Sequence, residues 1–267
     1  MGLEVRARLA ALHLDRGNPA EAARALEPVV LELRAAQQRS QARPHKNEWM
    51  ASLYLGAAYV AGEHPQKGWD VLREVVLPLE ELNQQGRSDF NAVLAQARVN
   101  EAQALLRLGK IESAAHASER SVCLYETLMA KGATQFQGQL SNALFKRAEA
   151  RIRSGAETEC REDLRRALAL ATDWIAAWFG ECNFQSVFIG NAVQILPLLT
   201  RGFDVEKREM LEMIKQCRAR NTAVPHPSKA SLRENEILAE KWPKLKAAAL
   251  EIGVQWEETP VSNNVVP

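Results

Sequence analysis

The chain of 267 residues lacks both a long apolar run and a net charge. It contains no stretch of eighteen or more consecutive apolar residues, which a membrane-spanning helix would need. Its 34 lysines and arginines balance 33 acidic residues, so the formal net charge is only +1. A chain this close to neutral has no overall field that attracts nucleic acid or an anionic membrane. We therefore expect neither a membrane protein nor a nucleic-acid-binding one, and residues 1–21 are too charged for a secretory signal.

Residues suited to metal or catalytic chemistry are few and scattered. The four cysteines form no Cys-x-x-Cys pair, so we expect reduced thiols and neither a disulfide framework nor a zinc site. No two of the five histidines are spaced as a metal-binding pair, and no phosphate-binding glycine loop, His-Glu-x-x-His or Gly-x-Ser-x-Gly motif occurs. These absences predict a cytoplasmic or otherwise intracellular protein that is not an enzyme and has no catalytic residue, metal or cofactor.

What the chain does contain is an internal repeat. Two small residues twelve positions apart recur four times, and each pair begins 46 residues after the previous one: Ala10 and Ala22, Gly56 and Gly68, Ala102 and Ala114, Ala148 and Cys160. Two antiparallel helices can approach closely only where the side chains at their crossing are small, so each pair predicts one helical hairpin. Glycines at nearly the same interval mark the predicted turns: Gly17, Gly62, Gly109, Gly155 and Gly202.

The second of these units resembles the tetratricopeptide repeat (TPR) family. It carries Leu55-Gly56-x-x-Tyr59 in its first helix and Gly68 in its second, where the family has Leu-Gly-x-x-Tyr and a small residue. The period here is 46 residues rather than the family's 34, and the family's opening Trp and closing Pro are largely missing. The resemblance implies an all-α fold, a right-handed helical-repeat solenoid of antiparallel helix pairs with extended repeats.

The predicted organisation has four parts. Residues 1–218 form the solenoid of about five helix pairs, and residues 219–230 are a polar linker. Residues 231–253 form a carboxyl-terminal helix, kinked near Pro243, that either caps the solenoid or docks on a partner; residues 254–267 are a tail. The fifth pair is degenerate, because a proline interrupts its first helix and polar residues replace the small pair: Pro197, Gln194 and Glu206.

A candidate binding face follows from the resemblance, since the first helices of such a solenoid line its concave side. Projection from the small-residue positions places eight side chains there: Asn100, Gln103, Arg107, Asn142, Phe145, Lys146, Glu149 and Arg153. We predict that they line a groove for an extended or helical segment; the alternative is a merely solvated helix face. A carboxylate clamp of the kind found in some TPR domains is not expected, because only Asn100 and Lys146 match its five positions.

The repeat stack without a catalytic constellation favours a non-catalytic scaffold or adaptor subunit of a larger complex. Its partner would be another protein or a peptide segment, bound in the concave groove or at either end of the solenoid. The alternative is a regulatory sensor module that binds a peptide or small ligand and controls an attached or partner domain. The long period favours the sensor by family analogy alone. Nucleic-acid binding is a third hypothesis, which the near-neutral charge disfavours.

Overall fold

The computed structural model describes residues 9–10, 13–14, 18–40, 46–177, 182–200, 202–222, 242–254 and 256. Within these ranges the chain is helical and contains no strand. The helices are α1 (Pro19–Ser40), α2 (Lys46–Ala61), α3 (Pro65–Gln84), α4 (Asn91–Arg107), α5 (Ile111–Ala130), α6 (Gln137–Arg153), α7 (Glu157–Ala177), α8 (Cys182–Ile195) and α9 (Asp204–Thr222). Residues 9–10, 13–14 and 242–251 are also helical. None of the described helices is long and apolar enough to cross a membrane.

The helices pack in sequence as hairpins, which we number by the repeat. Unit 2 is α2–α3, unit 3 is α4–α5, unit 4 is α6–α7 and unit 5 is α8–α9. Each helix of units 2 to 4 packs on the next one along the chain, and the first helices α2, α4, α6 and α8 also contact one another from unit to unit. These first helices form the inner layer of the stack. The all-α repeat of paired helices predicted from the sequence is confirmed.

The small residues lie where the two helices of a hairpin cross. A methyl group added to Gly68 would lie 2.5 Å from Cγ2 of Val60 and 2.8 Å from the carbonyl oxygen of Gly56. One added to Gly56 would lie 2.6 Å from Cγ of Leu72. In units 3 and 4 the same positions hold fully buried small residues, namely Ala102, Ala114, Ala148 and Cys160. Burial raises the pKa of the Cys160 thiol to about 12, which agrees with a packing role for this cysteine.

The left-handed turn residues of units 2 to 4 are spaced by 46 residues, although not all of them are glycines. The left-handed residue after the first helix is Gly109 in unit 3 (φ 71°) and Gly155 in unit 4 (φ 82°). In unit 2 the equivalent residue, 46 positions before Gly109, is Glu63 with φ 65°. Gly62, which we predicted as the turn glycine, lies one residue early and has no positive φ. The register of the backbone is therefore set by the stacking, and a non-glycine residue adopts the left-handed conformation to keep it.

A ladder of ion pairs joins the second helices, which form the outer layer. Arg34 on α1 pairs with Glu74 on α3 at 2.5 Å, and Glu80 on α3 pairs with Arg120 on α5 at 2.9 Å. The third rung is the pair Glu126–Arg166, between α5 and α7. The three rungs occupy equivalent repeat positions, 46 residues apart, and the first has the opposite polarity. Long charged side chains thus bridge helices that the hairpin geometry keeps apart.

The carboxyl end departs from the regular pattern. Pro197 ends α8 in a 3-10 turn, Leu196–Leu198, and α9 continues to Thr222, past the linker boundary predicted at residue 219. Between Asp204, where α9 begins, and Pro225 there is no proline, so α9 can continue past residue 219. Residues 223–241, which include the rest of the predicted linker and the start of the predicted carboxyl-terminal helix, lie outside the described ranges.

The described part of the carboxyl-terminal segment lies against α9. Residues 242–251 are helical, and their Glu251 pairs with the buried Lys207 at 3.6 Å. Beyond them Trp256 is buried and packs against Trp242 with the rings tilted by 47° and their centroids 4.7 Å apart. The Lys215 ammonium lies 5.5 Å from the Trp256 ring centroid. That this segment caps the solenoid or docks on a partner stays a prediction.

Candidate functional site

The inner face of α4 carries the three side chains predicted from unit 3. Asn100 and Gln103 are half-buried and Arg107 is exposed. Gln96, one helical turn before Asn100, donates to the Asn100 Oδ1 atom at 3.3 Å and accepts from the buried Tyr125 hydroxyl at 3.1 Å. Neither the Asn100 amide nitrogen nor the Gln103 amide donates a hydrogen bond to the described residues. This face therefore presents amide groups with free hydrogen-bonding capacity.

Two of the predicted arginines connect neighbouring first helices. Arg107 Nη1 donates to the carbonyl oxygen of Val60 at 2.5 Å, near the carboxyl end of α2. Arg153 Nη1 donates in the same way to the carbonyl oxygen of Leu106 at 3.3 Å, near the end of α4. Carbonyls in the last turn of a helix lack intrahelical donors, so a cationic side chain there stabilises both the carbonyl and the helix dipole. Both arginines remain exposed at the rim of the inner face and hold the units in register.

The predicted residues of unit 4 are largely covered by α8. Phe145 is buried and meets Phe188 edge-on, with ring centroids 5.8 Å apart. The half-buried Asn142 accepts from the Asn191 amide at 2.9 Å. Near Phe145 the predicted groove is thus filled by the chain itself, because the first helix of unit 5 packs on α6.

Lys146 and Glu149 form a buried charged pair at the same contact. The Lys146 ammonium lies 3.0 Å from Oε1 of Gln194 and 3.7 Å from Oε2 of Glu149. Glu149 also accepts from Arg153 at 2.7 Å. Desolvation lowers the pKa of Lys146 to about 8, and the positive charges of Arg107 and Arg153 act in the same direction. Lys146 is therefore a structural cation under α8, and partner binding by the unit 4 residues stays a prediction.

The accessible part of the site is thus centred on α4 and rimmed by α6. It consists of half-buried amide side chains of α4 and two exposed guanidinium groups: Gln96, Asn100, Gln103, Arg107 and Arg153. The half-buried Asn142 of α6 continues the amide row up to its contact with α8. Sequence reasoning did not single out Gln96, although it lies 46 residues before Asn142, and the repeat spacing alone would have found it. In the part of the chain that the structure describes, no three His, Cys, Asp or Glu side chains come together as metal ligands would.

The paired helices, the small-residue crossings and the unit-to-unit stacking define a TPR-like helical repeat. Among solved structures, the chain is similar to the crystal structure of nearly identical TPR-like repeats from a Podospora anserina protein designated a kinesin light chain. The TM-score is 0.54 and the sequence identity 20%, with 83% of this chain and 97% of that chain covered. No protein-family model matches the chain, and no curated protein matches it. The similarity shows the fold.

Proposed function

We propose that the chain is a non-catalytic, intracellular protein-interaction scaffold, an adaptor subunit that holds an extended segment of a partner protein on the inner face. The observation that carries this proposal is the amide row on α4 and α6. A primary amide both donates and accepts, as a peptide bond does, so a row of amides can bind a partner's backbone whatever its side chains are. The rigid stacking supports the proposal, because a preorganised face loses little entropy on binding.

The two rim arginines add a preference to this backbone recognition. Arg107 and Arg153 each use one guanidinium nitrogen on a helix carbonyl, and Arg153 uses a second on Glu149. Arg107 retains unused donors that can reach a ligand. A carboxylate or a backbone carbonyl of the partner at this end of the row would complete its hydrogen bonds.

A display library of random peptides, selected on the wild-type chain, tests the proposal. Selected peptides should lose at least tenfold in affinity for a variant with Gln96→Ala, Asn100→Ala and Gln103→Ala, since each lost hydrogen bond costs about 1 kcal/mol. The matched control is Glu162→Ala, an exposed change on α7 away from the inner face, which should bind normally. Selected peptides that bind the triple variant and the wild type equally would refute the site, provided that both variants retain their helical circular dichroism.

The alternative function is a regulatory sensor whose superhelical pitch changes when a peptide or small ligand binds. One observation favours it: successive second helices are bridged by long, partly exposed ion pairs such as Arg34–Glu74 and Glu126–Arg166. Exposed pairs of this kind contribute little stability, so the outer layer can open at small cost. A small-molecule screen that raises the melting temperature, combined with a changed radius of gyration in scattering, would favour the sensor over the scaffold.

A further inference from the structure

A second concave site lies on the opposite side of α4 from the amide row. It is an open cleft of about 390 Å³ between α3, α4 and α5. Its floor is formed by α4 and its walls by the two second helices; the lining residues include Trp69, Arg98, Glu101, Leu105, Glu112 and His116. At 3.6 residues per turn, positions 98, 101 and 105 project about half a turn away from positions 96, 100 and 103. The cleft and the inner face are therefore separate surfaces.

The next junction of the solenoid shows what fills such a cleft. Leu105 and Ala117 line the open cleft, and their equivalents 46 residues later are Arg151 and Asp163. The Arg151 Nη1 atom lies 2.6 Å from Asp163 Oδ2 and donates to the carbonyl oxygen of Glu159 at 3.2 Å. Residue 159 is in turn the equivalent of Ser113, another lining residue of the open cleft. An arginine side chain of the chain itself thus occupies the equivalent space between α5, α6 and α7.

We propose that the open cleft receives an arginine side chain from a partner protein. The half-buried Trp69 ring, with Leu105 and Ala117 buried beneath the cleft, provides apolar surface for the methylene stem. Glu112 is exposed at the rim and has no ion pair with the described residues, so it is the carboxylate available to the guanidinium. Glu101, which already pairs with Arg98 at 2.8 Å, is a second carboxylate among the residues that line the cleft.

The cations around the cleft are already engaged. Arg98 pairs with both Glu80 and Glu101. Lys110 lies 3.7 Å from the Trp69 ring centroid and Arg73 5.2 Å from it, so both cations are held on the aromatic ring. The competing occupant is a carboxylate. Both cations would favour it, and so would the buried Trp69 Nε1 atom, which has no hydrogen-bond partner among the described residues. The experiment below separates the two.

The probe is N-acetyl-arginine methylamide, titrated into the full chain while the indole N–H signal of Trp69 is followed by NMR. That signal is assigned by its loss in Trp69→Phe. We expect a saturable shift with a dissociation constant on the order of 1 mM, a reasonable value for a single side chain. Glu112→Gln should weaken it roughly tenfold, because a charge-assisted hydrogen bond is lost. Glu209→Gln, an exposed change on α9, is the matched control and should leave the titration unchanged.

The double variant Leu105→Arg with Ala117→Asp transplants the plug of the next junction. It should abolish the shift while the chain keeps its helical circular dichroism. Should that variant fail to fold, the Glu112→Gln comparison decides the question alone. Absence of a shift, an equal effect of N-acetyl-glutamate methylamide, or indifference to Glu112→Gln would each overturn the proposal. None of these results bears on peptide binding at the amide row.

Discussion

The junction between units 2 and 3 and the junction between units 3 and 4 share their outer contacts and differ inside. Both carry an ion pair between second helices, Glu80–Arg120 in one and Glu126–Arg166 in the other. Both also carry an arginine that donates to a carbonyl near the end of the preceding first helix. These contacts repeat at 46-residue spacing, so they hold successive units in the same register.

The interiors of the two junctions use different chemistry. On the unit 4 side of the junction between units 3 and 4, Asp163 of α7 accepts from Arg147 of α6 at 2.5 and 2.9 Å and from Arg151 of α6 at 2.6 Å, and it is almost fully buried. Glu119 of α5 accepts from the same Arg147 across the junction at 3.0 Å. At the equivalent place between units 2 and 3 the chain has Ala117, and an open cleft remains. Peripheral contacts that fix the stacking thus leave the interior free to vary from one junction to the next.

The largest expected effect is at Asp163. Asp163→Ala leaves two guanidinium groups in the closed junction without their buried carboxylate, and breaking a buried pair in this way costs about 3–5 kcal/mol. The free energy of unfolding in urea measures it. The control is Glu119→Ala, which removes the exposed carboxylate that also accepts from Arg147 at 3.0 Å and should cost less than about 1 kcal/mol. If both variants lost the same free energy of unfolding, burial of the Asp163 carboxylate would not make its ion pairs stronger than the exposed pair of Glu119.

A pH titration tests the coverage of α6 by α8. Asn100 and Lys146 are equivalent, yet only Lys146 is buried, with a pKa near 8 instead of the usual 10.5. Between these values the unfolded chain binds a proton that the folded chain does not, so the free energy of unfolding should rise with pH from about 8 to about 10.5. The full contribution is on the order of 3 kcal/mol.

Lys146→Met should remove this rise and stabilise the protein at pH 7, since Glu149 keeps its bond to Arg153. The difference between the wild type and the variant isolates the contribution of Lys146 from those of other titratable groups. Lys131→Met, an exposed change after α5, serves as the control and should leave the pH profile unchanged. A wild type whose stability does not change from pH 8 to pH 10, relative to Lys146→Met, would contradict burial of this ammonium.

The hairpin crossing distinguishes unit 2 from units 3 and 4, which hold Ala114 and Cys160 where unit 2 has Gly68. Gly68→Ala should destabilise the chain by about 2 kcal/mol, because the added methyl meets Val60 and the Gly56 backbone below contact distance. Gly190→Ala is the matched control: this helical glycine has open space around it, so alanine should stabilise the helix by up to about 1 kcal/mol. Denaturation curves in which both changes act in the same direction would argue against close crossing in unit 2.

The fold could be predicted from the sequence because helix crossings constrain residue size. Pairs of small residues 12 positions apart, repeated every 46 residues, are compatible with few folds other than stacked helix pairs, and the structure has paired helices at this repeat. The end of α9 could not be placed, since polar residues such as Arg220 and Asn221 are compatible with both a helix and a linker. Nor could the sequence show which side chains of unit 4 the helix α8 would cover, because the degenerate crossing residues of unit 5 gave no register.

The candidate site was only half predictable, for a related reason. A projection from one helix indicates which residues share a face, and the three that it named on α4, Asn100, Gln103 and Arg107, are half-buried or exposed. It cannot say what the neighbouring helix covers, so Phe145 and Lys146 were expected in a groove and are buried. The open cleft exists because Leu105 and Ala117 stand where the next repeat has Arg151 and Asp163. Only a comparison of the two junctions in the structure shows that this difference leaves a cleft.

The smallest expected effect is at the turn of unit 2, where Glu63 takes the left-handed conformation that glycine takes at positions 109 and 155. A non-glycine residue there costs about 1–2 kcal/mol, and glycine loses about 0.5–1 kcal/mol more chain entropy on folding. Glu63→Gly should therefore stabilise the protein by roughly 0.5–1 kcal/mol. Gly109→Ala should destabilise the protein by a similar amount. No described atom lies within 4 Å of the added methyl, so the cost comes from the left-handed backbone conformation alone. Glu63→Ala keeps the strained backbone and should change stability little, so a gain from alanine equal to that from glycine would place the effect in the carboxylate instead of the turn.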